Sequence, residues 1–321
     1  MTPFGTTRDG RAVHAVEIAT GDLSVRILTY GAILQDVRLA GVDHGLTLGS
    51  DAMSDYEGTL AYFGPIIGPV VNRLTGAKAP IGGLRYQFAA NAPGGHLLHS
   101  GPGGTIDRIW DVAEVGPTHA TLTVTLPDGA CAMPGNRRIT ARFEVAGTTL
   151  RLALSATTDE TTLMSLANHS YWTLDGGPGW AGHHLRVAAD RVLPTDENAA
   201  PTGEIADVAG TPFDFRDGRD IAPGAPPLDH NLCLSDHNVP LRDVLWLTGR
   251  TGLRMTLATT APGVQIYDQR APNRPGREAY EGLAIEPQHW PDAPNNPRFP
   301  SIELAPEETW TQTTEWRFLR A

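Results

Sequence analysis

Cysteine is scarce in this sequence: Cys131 and Cys233 are the only two among 321 residues, and no Cys-x-x-Cys pair occurs. Two cysteines are too few for a disulfide scaffold or for a zinc site built from thiolates. They leave two alternatives, one long-range disulfide or two isolated reduced thiols. We expect two reduced thiols, the simpler of the two.

Long apolar stretches are also missing. No run approaches the roughly 18 apolar residues that a membrane-spanning helix requires. Residues 1–18 lack the apolar core of a signal peptide. We therefore expect a cytoplasmic protein that does not associate with membranes.

Basic residues are outnumbered, with 25 Lys and Arg against 36 Asp and Glu and a net charge of −11. Proteins that bind nucleic acid irrespective of its sequence neutralise phosphates with clustered Lys and Arg. The chain also has no P-loop, and no Gly-x-Gly-x-x-Gly follows an early strand, so an ATP- or nicotinamide-dependent mechanism has no sequence basis. We expect no nucleic-acid partner and no cofactor.

Turns and alternating side chains are abundant. The 35 glycines and 26 prolines are typical of a chain with many turns. Apolar and polar residues alternate over 139–145 and again over 150–154, with a short glycine-containing turn at 146–147. This pattern predicts a β-hairpin. The same period of two recurs in the segments 23–28, 121–126, 253–257 and 310–318.

Helical periodicity is nearly absent, and only the region 51–60 could hold a turn of helix. Strands separated by closely spaced turns predict an all-β protein, either a sandwich or a barrel. We find no internal repeat, and the Pro-rich stretch 222–227 is more typical of a surface loop than of a linker. We therefore expect one domain over residues 1–321.

His96 and His99 are three residues apart, a spacing that places two metal ligands on one face of a helix. Their flanks are rich in glycine and proline, which disfavours a helix, and residues three apart in an extended segment point in opposite directions. No His-Glu-x-x-His motif or cysteine set completes a zinc site. We expect no metal here, and either one functional histidine or a loop histidine without a role.

Two other segments carry groups suited to proton transfer. His169 lies within Asn-His-Ser-Tyr-Trp, and histidine is the side chain that most readily exchanges a proton near neutrality. Glu286 ends the apolar run 282–285, where burial would raise its pKa into the range of a useful general base. The structural alternatives are a histidine bonded to backbone and a glutamate paired with an arginine.

Arg73 follows Asn72 directly after the apolar stretch 63–71. An arginine buried there would pair with a carboxylate or grip ligand oxygens, whereas a solvated one would only end a strand. Asp229 begins Asp-His-Asn after a stretch rich in turn formers. Because Asp and Asn are frequent in turns, a simple turn without a functional role is a strong alternative for that segment.

In their order along the chain, these segments resemble the aldose 1-epimerase (galactose mutarotase) family. The resemblance runs from Tyr30 to Asn295, nearly the whole chain, and many short matches in the family's order are far more specific than any one of them. The matching pieces are Tyr30-Gly31-Ala32, Leu48-Gly49, Tyr62-Phe63-Gly64, Asn72-Arg73-Leu74, Leu98-His99, Trp110, Asn168-His169-Ser170-Tyr171, Thr211-Pro212-Phe213-Asp214-Phe215-Arg216, Asp229-His230-Asn231, Pro262-Gly263-Val264-Gln265-Ile266-Tyr267, Glu286-Pro287-Gln288 and Pro291-Asp292-Ala293-Pro294-Asn295.

The resemblance implies a single large antiparallel β-sandwich that interconverts the α and β anomers of a free aldose such as galactose or glucose. It implies no metal and no cofactor, and we expect a monomer or homodimer. Glu286 matches the family's general base and His169 its acid, so the rate should rise with pH as Glu286 ionises and fall as His169 loses its proton. The positions that match the family's sugar-binding residues are Asn72, Arg73, His99, Asp229 and Gln265.

Three alternatives remain open at this point. A mutarotase of hexose 6-phosphates would need a basic cluster at the pocket, which the run Arg270, Arg274 and Arg277 could supply. A non-catalytic sugar-binding module would bind sugars without anomerising them. A glycoside hydrolase would need a second carboxylate facing Glu286, and Asp229 is the candidate.

Overall fold

The computed structural model describes residues 1–320. The strands of its largest sheet have apolar and polar side chains in alternation. Nine strands pair antiparallel in this sheet, and the hairpin expected around residues 146–147 lies within it. In sheet order the nine strands are Asp111–Val115, His119–Leu126, Arg137–Ala146, Thr149–Thr158, Trp310–Leu319, Arg254–Thr259, Arg242–Thr248, His184–Val187 and Arg219–Asp220.

Two smaller antiparallel sheets lie against the nine-stranded one. The six-stranded sheet has the order Tyr171–Trp172, Leu283–Gln288, Gly263–Tyr267, Asp229–Cys233, Arg191–Val192 and Ala206–Asp207. The four-stranded sheet has the order Thr2–Thr6, Ala12–Ala19, Leu23–Leu28 and Ile33–Leu39.

Short elements make the connections. Four two-stranded pairs join Ile66–Ile67 to Ala167–Asn168, Arg73–Leu74 to Leu97–Leu98, Lys78–Ile81 to Leu84–Gln87, and Thr162–Leu163 to Glu303–Leu304. The α-helix Met53–Tyr56 falls in the region where the sequence allows one helical turn, and the 3₁₀ turns are Thr75–Ala77, Pro93–Gly95, Ala130–Ala132 and Ala293–Asn295. Within residues 1–320, no helix has the length and apolar character needed to cross a membrane.

The core lies between the sheets because each strand turns its apolar residues inward. On the strand Trp310–Leu319, Trp316 and Phe318 are buried, and both rings contact Trp172 of the six-stranded sheet, with ring centroids 5.4 and 5.7 Å apart. Side chains of the four-stranded sheet, such as Val25 and Ile27, join the same apolar cluster. The all-β antiparallel sandwich expected from the sequence is confirmed.

Most local predictions hold as well. All six alternating segments are strands, and the Pro-rich stretch 222–227 is a largely exposed loop. Cys131 and Cys233 are free thiols, as expected. The turn that was the alternative at Asp229 is not what forms: Asp229 begins the strand Asp229–Cys233, and all five residues of this strand pair with the strand Gly263–Tyr267.

Several candidate site residues lie on the face of the six-stranded sheet that turns away from the core. Directly paired residues of an antiparallel sheet project from the same face, and so do residues two apart on one strand. The pairing register therefore places on this one face the residues Tyr171, Ala284, Glu286, Gln265, Tyr267, Asp229 and Asn231. Their neighbours Trp172, Ile285 and Ile266 belong to the core.

Trp316→Ala should lower the free energy of unfolding by about 3–5 kcal/mol, the usual cost of removing a buried large aromatic side chain. The matched control is Trp246→Ala. Trp246 is only partly buried and stacks with the Arg186 guanidinium, 4.3 Å from its ring centroid. Denaturant unfolding of both variants measures the difference, and equal losses would contradict the assignment of Trp316 to the contact between the sheets.

Candidate active site

Adjacent strands of the six-stranded sheet form the floor of a cavity. Gln265 pairs directly with Glu286 in the sheet register, so the two side chains are neighbours. The Gln265 amide donates a hydrogen bond of 2.7 Å to Asp229 Oδ1 on the next strand. The floor thus presents two carboxyl groups with an amide beside them.

Asn72, Arg73 and His99 form the roof of the cavity. The strand Arg73–Leu74 pairs with Leu97–Leu98, which brings these residues together. Asn72 and His99 have φ angles of 63° and 53°, a left-handed conformation that Asn and His adopt more readily than most residues. Arg73 Nη2 donates to Asp229 Oδ2 over 3.2 Å, and this ion pair joins the roof to the floor.

Asp292 holds the roof in position from behind. Its carboxylate accepts hydrogen bonds from the Thr75 backbone N–H at 2.9 Å and from the Thr75 hydroxyl at 2.6 Å. Its own backbone N–H donates to the Arg73 carbonyl at 3.0 Å. The proline-rich loop after Glu286 therefore fixes the segment that carries Arg73.

A backbone hydrogen bond fixes the tautomer of His99. The Asn72 N–H donates to His99 Nδ1 at 3.1 Å, so in the neutral ring Nε2 carries the proton. Burial, helped by the nearby His169 and Arg73, places the pKa of His99 well below its ordinary value. His99 is therefore a neutral hydrogen-bond donor.

His169 lies between the short strands Ala167–Asn168 and Tyr171–Trp172. Its backbone is held on both sides, because its N–H donates to the Pro65 carbonyl and its own carbonyl accepts from the Gly64 N–H. Three rings surround its imidazole, with centroids 5.2 to 6.1 Å away, and they belong to Tyr62, His99 and Tyr171. This packing fixes the orientation of the imidazole.

Glu286 and His169 meet inside the cavity, with Glu286 Oε1 3.4 Å from His169 Nε2. Both residues are buried, and neither Glu286 Oε2 nor His169 Nδ1 has a hydrogen-bond partner. Burial raises the pKa of Glu286 well above its ordinary value; the Asp229 carboxylate adds to this shift and Arg73 opposes it. Burial lowers the pKa of His169 to about 4.

The cavity has a volume of about 300 Å³, and all seven residues that the sequence singled out line it. Six further lining residues were not predicted as site residues: Tyr62, Leu98, Tyr171, Tyr267, Arg270 and Asn273. The period of two could have identified two of them, because Tyr267 lies two residues after Gln265 and Tyr171 two residues after His169. Asn273 and Arg270 come from a loop without regular periodicity.

Arg270, Arg274 and Arg277, the basic residues that a phosphate-binding pocket would need, do not lie together in the structure. Arg270 lines the cavity, but Asp268 and the Leu228 carbonyl already occupy its guanidinium. Arg274 and Arg277 pair with Glu281 outside the cavity, at 2.9 and 3.6 Å. Among the residues that line this cavity, there is therefore no cluster of unpaired guanidinium groups that could bind a sugar phosphate.

His96 and His99 have separate surroundings. His96 Nδ1 accepts a hydrogen bond from the Gly76 N–H at 3.1 Å, away from the cavity, which His99 lines. Over residues 1–320, the structure contains no group of three or more His, Cys, Asp or Glu that could hold a metal ion. The arrangement instead offers a carboxyl and an imidazole for proton exchange, surrounded by hydrogen-bond donors and acceptors.

Comparison with known proteins identifies the family of the chain. The family model for aldose 1-epimerase matches residues 14–317. Galactose mutarotase from Mus musculus is 30% identical, with 99% of this chain and 97% of the mouse protein covered. Aldose 1-epimerase from Escherichia coli is 28% identical, with 92% of each chain covered.

Solved structures show the same relationship. The crystal structure of an aldose epimerase homologue from C. elegans has a TM-score of 0.90 at 29% identity, covering 97% of this chain and 100% of that one. The crystal structure of galactose 1-epimerase from Lactobacillus acidophilus has a TM-score of 0.85 at 28% identity, covering 98% and 97%. The chain belongs to the aldose 1-epimerase family and is an isomerase of the mutarotase type.

Proposed function

We propose that this protein interconverts the α and β anomers of a free aldose, with Glu286 as the base and His169 as the acid. The observation that carries the proposal is the distance of 3.4 Å between Glu286 Oε1 and His169 Nε2. The C1 hydroxyl oxygen and the ring oxygen of an aldose are bonded to the same carbon. A base and an acid that are nearly in contact can therefore reach both oxygens at once.

The reaction then needs no group beyond this pair. Glu286 takes the proton of the C1 hydroxyl, the bond from C1 to the ring oxygen breaks, and His169 protonates that oxygen. The open-chain aldehyde rotates about its C1–C2 bond, and the ring oxygen attacks the other face of the carbonyl. Glu286 and His169 exchange roles during closure, which restores both groups to their starting protonation states.

The sequence suggested that Glu286 loses its proton at a lower pH than His169 does. Burial reverses this order, because it raises the pKa of Glu286 and lowers that of His169. With the pKa of Glu286 raised and that of His169 lowered to about 4, the proton that the pair shares in the empty pocket sits mostly on Glu286. The reactive arrangement, with Glu286 ionised and His169 protonated, holds the same number of protons. The fraction of protein molecules in the reactive arrangement is therefore constant at pH values between the two apparent pKa values of the pair.

The other lining residues supply hydrogen bonds for the hydroxyl groups of a sugar. Arg73 and Asp229 provide charge-assisted bonds, Gln265 and Asn72 provide amides, and His99 donates from Nε2. The tyrosine rings around His169 supply flat apolar surface for the sugar ring. Galactose and glucose are the proposed substrates, and the names of the relatives support galactose.

We also propose a cytoplasmic location. Cys131 and Cys233 are both free, and unpaired thiols are the usual state in a reducing compartment. Burial raises the pKa of the Cys131 thiol to about 11 and that of Cys233 to about 12, so both stay protonated and unreactive.

Glu286→Gln should abolish most of the mutarotase activity, because the amide keeps the shape of the side chain but cannot accept a proton. Loss of a general base costs about 10²–10⁴-fold in rate. Polarimetry with freshly dissolved α-D-galactose measures the rate. Glu17→Gln, a change at an exposed carboxyl group, is the control, and a folded Glu286→Gln protein with the control's rate would disprove the assignment.

The rate of the wild-type protein should fall below about pH 4, where His169 gains a proton while Glu286 keeps its own. It should fall again on the alkaline side of the profile, at a pH set by the raised pKa of Glu286, where the pair loses its shared proton. His169→Asn should lose most of the rate and the alkaline fall, since ionised Glu286 then acts alone. An unchanged alkaline fall in this variant would assign the acid to another residue, such as His99.

Asp229→Asn should raise KM at least about tenfold, because it removes a carboxylate that binds by charged hydrogen bonds, each contributing about 1.5–3 kcal/mol. It should also move the alkaline fall to lower pH, since the Asp229 charge helps to raise the pKa of Glu286. Asp236→Asn, at an exposed carboxylate paired with Arg191, is the control. A variant profile with an unmoved alkaline fall would contradict the coupling of Asp229 to Glu286.

A further inference from the structure

The segment 269–282 borders the open end of the catalytic cavity. Arg270 and Asn273 of this segment line the cavity, and Arg270 is the only exposed residue among the thirteen that do. Its side chain is 43% exposed, whereas Glu286 and His169 are buried. Arg270 therefore marks the open end of the cavity, and Glu286 and His169 mark its closed end.

Three contacts hold the guanidinium group of Arg270. Its Nε donates to Asp268 Oδ1 at 3.0 Å, and its Nη2 donates to the Leu228 carbonyl at 3.0 Å. The guanidinium carbon lies 5.6 Å from the ring centroid of Tyr267, which also lines the cavity. Asp268 is buried, and its Oδ2 accepts a hydrogen bond of 3.0 Å from the Leu228 N–H. The anchor of Arg270 is therefore itself fixed.

Hydrogen bonds also close the base of the segment. The Gln269 carbonyl accepts from the Tyr280 N–H at 2.7 Å. The Gln269 side-chain oxygen accepts from the Gly282 N–H at 2.8 Å, and this bond is buried. The backbone that carries Arg270 is therefore held next to the position where the side chain leaves it.

One nitrogen of Arg270 remains for a molecule in the cavity. The bonds of the guanidinium use Nε and Nη2, and they leave Nη1 without a hydrogen-bond partner in the part of the chain that the structure describes. Because Asp268 balances the charge of the group, Nη1 offers a directed hydrogen bond and little net positive charge. A neutral hydroxyl group suits such a donor better than a carboxylate or a phosphate does.

We propose that Arg270 is a specificity-determining residue, which donates a hydrogen bond from Nη1 to a hydroxyl group on the C3–C4 edge of the sugar ring. The inference rests on the proposed roles of Glu286 and His169, which place C1 and the ring oxygen at the closed end of the cavity. In a pyranose ring, the C3–C4 bond lies opposite the bond between C1 and the ring oxygen. The C3–C4 edge therefore points toward the open end, where Arg270 lies.

Arg270→Met keeps an unbranched side chain but removes its donors. It should raise KM for D-galactose about tenfold, the usual effect of losing one charged hydrogen bond. The value of kcat should change little, because the contact is far from the bond that breaks and is made equally before and during the reaction. Polarimetry with freshly dissolved α-D-galactose measures both constants.

Deoxy sugars identify the hydroxyl group that Arg270 contacts. Wild type should have a KM about tenfold higher for 3-deoxygalactose or for 4-deoxygalactose than for galactose. For that deoxy sugar, Arg270→Met should raise KM no further, because the bond is already missing. For 2-deoxygalactose, the variant should still raise KM about tenfold. A general disturbance of the cavity would raise KM for every sugar alike, so this pattern separates a direct contact from a structural role.

Arg277→Met is the matched control. Arg277 belongs to the same segment, its side chain is 52% exposed and it lies 3.6 Å from the buried Glu281 carboxylate, but it does not line the cavity. This variant should keep the wild-type KM for all the sugars. If Arg270→Met does not fold, Arg270→Lys keeps a cation beside Asp268. An ammonium bonded to Asp268 lacks the planar fork that also reaches the sugar, so the same pattern is expected.

An unchanged KM for galactose in folded Arg270→Met protein, or equal losses for every sugar, would overturn the contact. A loss that disappears with 2-deoxygalactose alone would overturn it too, since the sugar would then lie the other way round. Equilibrium dialysis with radiolabelled galactose, and with the deoxy sugars as competitors, makes the same comparison for binding. Wild-type protein that binds with this pattern but does not catalyse mutarotation would refute the roles of Glu286 and His169 alone. Absence of galactose binding would overturn the Arg270 contact as well.

Discussion

The ion pair between Arg73 and Asp229 is the contact on which the catalytic cavity depends. Arg73 belongs to the short strand pair of the roof, and Asp229 to the six-stranded sheet of the floor, so this ion pair joins the two across the cavity. Both side chains are only 15% exposed, which strengthens their interaction relative to a surface pair. The Asp292 backbone N–H bonds to the Arg73 carbonyl, and the Gln265 amide bonds to the Asp229 carboxylate, so both partners of the ion pair are held in position.

The cavity keeps Glu286 and His169, the proposed base and acid, under conditions that disfavour their charged forms. Glu286 and His169 are buried beside each other, and each has one polar atom without a partner. Such an arrangement lowers stability, and the large apolar core between the sheets offsets that cost. In the proposed mechanism, the neutral pair converts to the charged pair by moving one proton across the 3.4 Å between Glu286 Oε1 and His169 Nε2, without taking a proton from the solvent.

Periodicity made much of this structure predictable. The alternating segments are strands, and the apolar run before Glu286 correctly indicated a buried carboxyl group with a raised pKa. At Asp229 the local composition also allowed a turn, but pairing with the strand Gly263–Tyr267 imposes extended backbone. Asn273 could not be foreseen as a lining residue of the catalytic cavity, since it belongs to a loop without a periodic pattern.

The strand Leu283–Gln288 serves the core and the catalytic cavity with alternate residues. Ile285 packs in the core and Glu286 faces the cavity. Loss or gain of a single residue in this strand would exchange the two faces, placing a carboxylate in the core and an isoleucine in the cavity. A change in the shape of this cavity that preserves the fold is therefore expected to come from substitutions or from the surrounding loops, such as the segment that carries Arg270 and Asn273, because the sheet beneath must keep its register.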